Sequence, residues 1–573
     1  MSTTPASRSQ LAPLPGHPTL ANLRDQMVAD EGLTSRKRQD ISSALRTLAK
    51  ALRRPLEECP AHPGYLRERL KGFTPAMAGL EELRWRNVMS LVRFALKQAG
   101  LAHVPGRYRE PMTPEWAELF SQLEGYRTRH ALSRFARYCS VGGISPEQVS
   151  DGVMEKFLGD LENGGIIEKP QSIHRTACLV WNAAGAGMPA WPKQRLTVPD
   201  YRDFYVLPWA TFPPSLKTEL DAYLARLGDK DPLAEHDFRP LRATSIATRL
   251  TQIREFISAA VHGGHDPQAL NSLADLVALD TVQQGVGFIR DRSGKRTTRH
   301  VHQIICAIKA MAQHWVKVDE AHLKRLQLIS RRANPGRPGM TSKNQDRLRQ
   351  FNDQVNVDAL LTLPDRILAK MPSGTPPSYR QALEVQTAVA IGILLMIPMR
   401  LRNLKNLNMD DHLIRTRASG VVHLAVKGPE VKNEVNIEAV LPAPTIRLLD
   451  EYLKRYRPVL VRNPSPWVFP GETAKGPKTG LGAQISKYLK KQCGLLVNPH
   501  LFRHIGAMLY LLAHPGAYGV IRLVHGHKSV ETTTQFYCGM ESTAAMRHFD
   551  EHILKLRDQA TPPPVKRPSR RPI

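Results

Sequence analysis

The chain has 573 residues, with 80 Lys and Arg against 52 Asp and Glu, a formal net charge of +28 and a pI near 10.0. That length allows several hydrophobic cores at roughly 100–200 residues per domain. A field of this sign attracts polyanions, and nucleic acid fits better than a membrane surface, which would call for an amphipathic or lipid-anchored segment as well.

Taken in chain order, three segments share one rhythm: a basic helical stretch, a short turn, a second helical stretch, and a final helix with regularly spaced apolar residues. The first runs from RKRQDISSALRTLAKAL at Arg36 to RWRNVMSLVRFALKQAG ending at Gly100. The second runs from Tyr126 to Gly187, and the third from Ser245 to Trp315. They predict small helical domains over residues 1–105, 106–200 and 210–325, separated by proline-containing breaks. No long string is common to the three, so duplication and a shared helical rhythm both stay open.

A basic linker is expected over 326–352. From Lys324 to Arg349 the only acid is Asp346. Arg331, Arg332, Arg337, Lys343, Arg347 and Arg349 are its candidate phosphate contacts, the alternative being a plain solvated connection. Beyond it, residues 353–555 read as one domain. A buried helix (381–397) leads into MRLRNLKNLNMDDH, VVHLAV and EVNIEAVL form two short strands around a basic turn, and helices follow from Ile446, near 482–492, and from His500. The tail, 556–573, ends in TPPPVKRPSRRPI and is expected to be disordered and basic. The expected fold class is mainly α (α+β): tandem small helical DNA-binding domains, then a mostly helical domain with a small antiparallel sheet.

The chemistry concentrates between His500 and Tyr537, in HLFRH and HGHKSVETTTQFY. A tyrosine hydroxyl, with an unperturbed pKa of about 10, is a poor nucleophile until cations gather around the phosphate it attacks. The pattern resembles the tyrosine recombinase (phage integrase) family, whose C-terminal signature is H-x-x-R-H, then L-G-H, then T-T-x-x-Y. The family's earlier arginine motif, roughly G-L-R-I-S-E-L-x-x-L-x-W-x-D, stands here as P-M-R-L-R-N-L-K-N-L-N-M-D-D. Arg400, Leu404, Leu407 and Asp411 fall in register, which favours Arg400 over Arg402, while Asn403 replaces the usual acid. His525 replaces the leucine of L-G-H, and the interval from His527 to Tyr537 is one residue longer than usual.

The resemblance implies a mostly helical integrase-type catalytic domain and the catalytic set Arg400, Lys432, His500, Arg503, His527 and Tyr537. Arg400 and Arg503 would clamp the non-bridging phosphate oxygens, His500 would take the tyrosine proton, and His527 would donate to a phosphate oxygen. A lysine on the strand turn would protonate the leaving 5′-oxygen, Lys432 being favoured over Lys427. It also implies strand breakage and rejoining through a 3′-phosphotyrosyl link, without ATP or metal. The partners would be double-stranded DNA and a homo-oligomer, tetrameric on DNA, or sibling recombinases. Rival readings are a type IB topoisomerase and an inactive DNA-binding protein of the same fold.

Other chemistries find little support. The six cysteines (Cys59, Cys139, Cys178, Cys306, Cys493, Cys538) form no C-x-x-C pair, which speaks against a zinc ribbon or a disulfide framework. In GETAKGPKTG, from Gly471, Pro477 stands where a phosphate-loop lysine belongs. No signal-peptide core opens the chain, and the apolar run from Ala388 to Met399 is too short to span a bilayer. A cytoplasmic, nucleoid-associated protein without membrane contact is expected, with no cofactor and no metal.

Overall fold

The computed structural model describes residues 18–559, except 103–109, 202–203, 232, 234–237, 337–338, 417–419, 462, 474, 528 and 538–540. The side chains at 532, 535–537 and 541–548 also lie outside the description. Two compact units emerge, one made of 1–198 with 339–573 and the other of 199–338.

The first unit begins with α1 (Leu20–Ala29), α2 (Ser35–Leu52), α3 (Pro63–Leu70) and α4 (Glu82–Gln98) around a core that includes Leu23, Leu45, Leu48, Leu66, Val92 and Leu96. Thr34 caps α2 by accepting from the Lys37 N–H, and Arg53 stops it in a left-handed conformation (φ 55°). A second core, rich in Trp116, Phe135, Phe157 and Trp181, is enclosed by α5 (Pro114–Ser121), α6 (Tyr126–Val141), α7 (Asp151–Asn163) and α8 (Pro170–Gly187). The Trp116 and Trp181 indole N–H groups donate to the carbonyls of Ile144 and Gln194, so these large rings are buried with their polar atoms satisfied.

In the second unit, α9 (Pro214–Leu227), α10 (Ala243–His262), α11 (Leu273–Val277), α12 (Leu279–Arg292), α13 (Arg299–Met311) and α14 (Glu320–Arg332) share a third core. The same punctuation recurs three times. A long helix halts at or just before a residue with positive φ (Arg53, Gly143 or Gly264), and a one-turn 3-10 helix follows, preceded by Pro55 or opened by Pro146 or Pro267. The short opening helices α1, α5 and α9 extend this common order beyond what the apolar spacing gave.

The C-terminal part of the first unit opens with α15 (Ser342–Leu348), α16 (Gln354–Leu361) and α17 (Leu363–Ala369). Its centre is α18 (Tyr379–Met396), capped by a Ser378–Gln381 box and buried on nearly every side from Val385 to Leu394. Two short helices follow, α19 (Leu401–Lys405) and α20 (Met409–His412).

The sheet is antiparallel in the order β1 (Leu413–Arg415), β2 (Val422–Val426), β3 (Ile437–Val440). Leu424 lies opposite Leu413 and Ala439, and Val422, Leu424 and Val426 point into the core. β1 went unread because three residues, LIR, show no alternation. The remaining helices are α21 (Ala443–Glu451), α22 (Arg457–Leu460), α23 (Leu481–Cys493), α24 (Leu501–Ala513), α25 (Tyr518–His525), α26 (Val530–Tyr537) and α27 (Glu541–Gln559). Mainly α with a small antiparallel sheet is therefore the fold class.

Two expectations need correction. The stretch read as a linker is helical over most of its length: Arg331 and Arg332 end α14, Lys343 and Arg347 lie on α15, and Arg349 pairs with Asp346 at 2.6 Å. Favourable helix formers make most of this basic run helical. The stretch read as a tail also starts too early, since α27 continues to Gln559; residues 560–573 lie outside the described residues.

Within the first unit, the N-terminal helices dock on α23. Thr74 Oγ1 donates to the Lys490 carbonyl at 2.9 Å, and Lys491 pairs with Glu82 at 2.9 Å. Gly494, left-handed at φ +72°, ends α23 so close to Met77 that a Cβ would sit 2.8 Å from its backbone nitrogen.

Candidate active site

Arg400 is delivered by the end of α18. Pro398 cannot continue a helix, and the buried Ile397, Pro398 and Met399 hold the corner down so that Arg400 emerges as the N-cap of α19. Its Nη1 donates to Asn433 Oδ1 at 2.9 Å, and burial pulls its pKa below the ordinary guanidinium value. Asn403, on the same short helix, is buried and donates through Nδ2 to the Glu430 carbonyl at 3.4 Å.

Arg503 sits one turn into α24 and is only 5% exposed. Nη1 donates to the Pro398 carbonyl at 2.7 Å and Nη2 to the His525 carbonyl at 2.6 Å. The guanidinium thus ties together the α18 corner, α24 and the end of α25. These two bonds use two of its five N–H donors. Arg400 and Arg503 are held here by neutral oxygens, an amide and two carbonyls, so the positive charge of the site is not cancelled by these contacts.

The histidines gather around that charge. His500, the N-cap of α24, keeps an exposed edge, yet burial of its inner face and then the fields of Arg503, Arg400 and Lys432 hold its pKa below the ordinary value. A neutral imidazole results, able to accept a proton at neutral pH. The fields that reach His500 place Lys432 with the two arginines. Lys427, exposed at the end of β2, is not among them.

His527 is lowered to about 4 by burial, then by Arg503 and Arg400. Its Nε2 lies 3.4 Å from Arg503 Nη2 and its Nδ1 2.9 Å from Thr533 Oγ1. A guanidinium only donates, so Nε2 accepts and the neutral ring carries its proton on Nδ1. To donate to a phosphate oxygen through Nε2, the ring must change tautomer. Thr533 permits this because a hydroxyl can donate as readily as it accepts.

Behind these groups, His504 is held to about 4 and His525 to about 2, in each case chiefly by burial. At the leucine position of L-G-H, His525 is 3% exposed and gives its backbone carbonyl to Arg503. The substitution therefore leaves the backbone's task unchanged. Gly526 follows at φ +59°, a left-handed turn that sends His527 back toward Arg503.

Arg400, Lys432, His500, Arg503 and His527 are thus brought together. Tyr537 is the last residue of α26, and its side chain lies outside the described residues. Of the six linker candidates, exposed Arg331 and Arg332 belong to the second unit, Lys343, Arg347 and Arg349 to the first, and Arg337 lies outside the described residues.

Sequence reasoning missed Asn433, whose Nδ2 donates to the Gly526 carbonyl while its Oδ1 accepts from Arg400. An asparagine after a strand reads only as a turn residue. Thr533, the other omission, is the first threonine of T-T-x-x-Y. Among the described residues, no group of three or more His, Cys, Asp or Glu is placed to hold a metal ion, and no helix is long and apolar enough to cross a membrane.

No family model and no curated protein matches the chain. Among solved structures it is similar to XerH site-specific recombinase in a post-cleavage complex with a palindromic difH substrate. That match has 14% identity and a TM-score of 0.34, and covers 61% of this chain and 98% of that one. It is also similar to XerA recombinase at 16% identity and a TM-score of 0.24, covering 58% and 99%. The Tn1549 transposon integrase, residues 82–397 with circular intermediate DNA, matches at 12% identity and a TM-score of 0.32, covering 58% and 99%. At such low identities and TM-scores these matches carry no argument about activity, which rests on this chain's own side chains.

Proposed function

We propose that this chain is a site-specific tyrosine recombinase, of integrase or transposase type, that breaks and rejoins double-stranded DNA. The observation that carries the reading is the convergence of Arg400, Arg503, Lys432, His500 and His527 on one partly buried, positively charged centre. Cations aimed at one spot favour an anion whose charge grows during reaction.

In this reading the Tyr537 oxygen attacks the scissile phosphorus while neutral His500 takes its proton. Arg400 and Arg503 stabilise the non-bridging oxygens, and His527 donates to one of them after its tautomer changes. The P–O5′ bond breaks as the Lys432 ammonium gives its proton to the departing oxygen. The 3′-phosphotyrosyl ester keeps the phosphodiester's energy, and a partner strand's 5′-hydroxyl reverses the step, so neither ATP nor metal takes part. The domain over 210–325 would grip DNA as the family's core-binding domain does, with residues 1–105 and 106–200 as further copies and the exposed basic residues of α14 and α15 on phosphates. A tetramer on paired sites, alone or with sibling recombinases, in the nucleoid would complete the reaction.

The test is covalent trapping. The protein is mixed with a library of nicked duplexes and denatured, and the DNA that stays attached is sequenced. Wild type retains DNA through its 3′ end and Tyr537→Phe retains none. An adduct surviving in the variant moves the nucleophile, and its absence in wild type leaves only DNA binding. Relaxation of plasmids with no preferred site would mark the topoisomerase type of the same chemistry.

A further inference from the structure

The connection between β2 and β3, residues 427–436, is anchored on both sides of Lys432. Ahead of it, the Glu430 carboxylate lies 3.1 Å from His412 Nε2, the Glu430 carbonyl accepts from Asn403, and Val431 is 2% exposed. Behind it, Asn433 bonds Arg400 with one end of its amide and the Gly526 carbonyl with the other. Glu434 then turns through φ 59°, and the Gly428 N–H donates to Asn436 Oδ1 at 2.8 Å, closing the loop on itself. Lys432 is exposed between these two anchors.

We propose that Asn433 is a positioning residue. Its carboxamide aims Arg400 and ties the Lys432 loop to the turn bearing His527, so that three groups from three elements are held in one arrangement before DNA arrives. The chemical meaning of this latch rests on the recombinase reading; the latch itself has readouts of its own.

Only a carboxamide makes both bonds. A carboxylate would accept from Arg400 but be repelled by the Gly526 carbonyl, and its charge would cancel the one the phosphate needs. Gly526 suits this turn because its backbone, at φ +59°, would strain any side chain. The acid-to-amide change at Asn403 acquires a purpose as well. An amide can donate to the Glu430 carbonyl, whereas an ionised acid only accepts. Arg400 is thus held by the loop that carries the lysine.

The test uses full-length protein and inorganic phosphate, the smallest piece of a DNA backbone. Hydrogen–deuterium exchange is followed on peptides spanning 428–436 and 522–530 and on α18, and phosphate affinity is read by isothermal titration calorimetry. In Asn433→Ala and Asn433→Asp, exchange should rise and phosphate affinity fall by about tenfold or more, the loss expected for a bond to a charged group. Exchange in α18 should not change. In the trapping assay, Asn433→Ala should slow adduct formation at saturating DNA by about tenfold or more, with DNA affinity held within about twofold.

Unchanged peptides, or wild-type phosphate affinity, would overturn the assignment. So would loosening that extends equally through α18, which marks a merely structural residue. If wild type forms no adduct while the peptides and phosphate respond as expected, the strand-cleavage reading fails and the latch stands.

Discussion

Replacing Arg503 by alanine should unfold part of the site as well as silence it. Its guanidinium supplies two short bonds to the carbonyls of Pro398 and His525, at a position only 5% exposed. A buried carbonyl deprived of its donor costs about 1–3 kcal/mol, and two of them with the cavity left by the side chain bring Arg503→Ala to about 3–6 kcal/mol. That is a large fraction of the 5–15 kcal/mol by which a domain is usually stable. Arg400→Ala should behave differently. Arg400 is half-buried and bonded to a side-chain amide that can turn elsewhere, so the cost should be about 1 kcal/mol. Hydrogen–deuterium exchange on α24 is the assay, because several separately cored segments make a single unfolding free energy ill-defined. Protection in Arg503→Ala should fall by two or more orders of magnitude, roughly the factor for 3 kcal/mol, and much less in Arg400→Ala. A loss below about fivefold in Arg503→Ala would mean that water reaches both carbonyls, and the buried tie would be refuted.

Two further outcomes are expected. Lys432→Ala should slow cleavage of ordinary DNA by roughly 10²–10⁴-fold, and a 5′-bridging sulfur, which leaves without a proton, should restore it; the same rescue in Lys427→Ala instead would reassign the acid. His504, held to about 4, stays neutral in the fold while the unfolded chain binds a proton below about 6.5. Its stabilisation is complete above that value and is lost as pH falls toward 4, on the order of 3 kcal/mol for this residue. Exchange protection of α24, corrected for the intrinsic pH dependence of exchange, should fall less steeply from pH 7 to 4 in His504→Phe, and an equal slope in the variant would exclude this origin.

What the sequence disclosed and what it hid follow from the range of each interaction. Arg400 could be found because the leucines at 404 and 407 stand at fixed intervals after it and set the register locally. His500 and Arg503 lie within one turn of each other. Asn433, by contrast, acts on Arg400 across 33 residues and on Gly526 across 93, so neither neighbour marks it. His525 looked like a flaw in the motif because the site uses its backbone carbonyl, an atom every residue shares. The three-residue β1 and the helices α1, α5 and α9 escaped because short elements owe their shape to packing more than to periodicity.

The docking of the N-terminal helices on α23 also sets a schedule for synthesis. Thr74 and its acceptor Lys490 are 416 residues apart. At typical rates of about 5–20 residues per second, the first helices leave the ribosome roughly 20–80 s before their docking surface exists. They have a core of their own, from Leu20 to Ala102, in which to wait. The face around Thr74, Met77 and Glu82 must stay soluble through that interval, and the pairing of Glu82 with Lys491 comes only after most of the chain has been made.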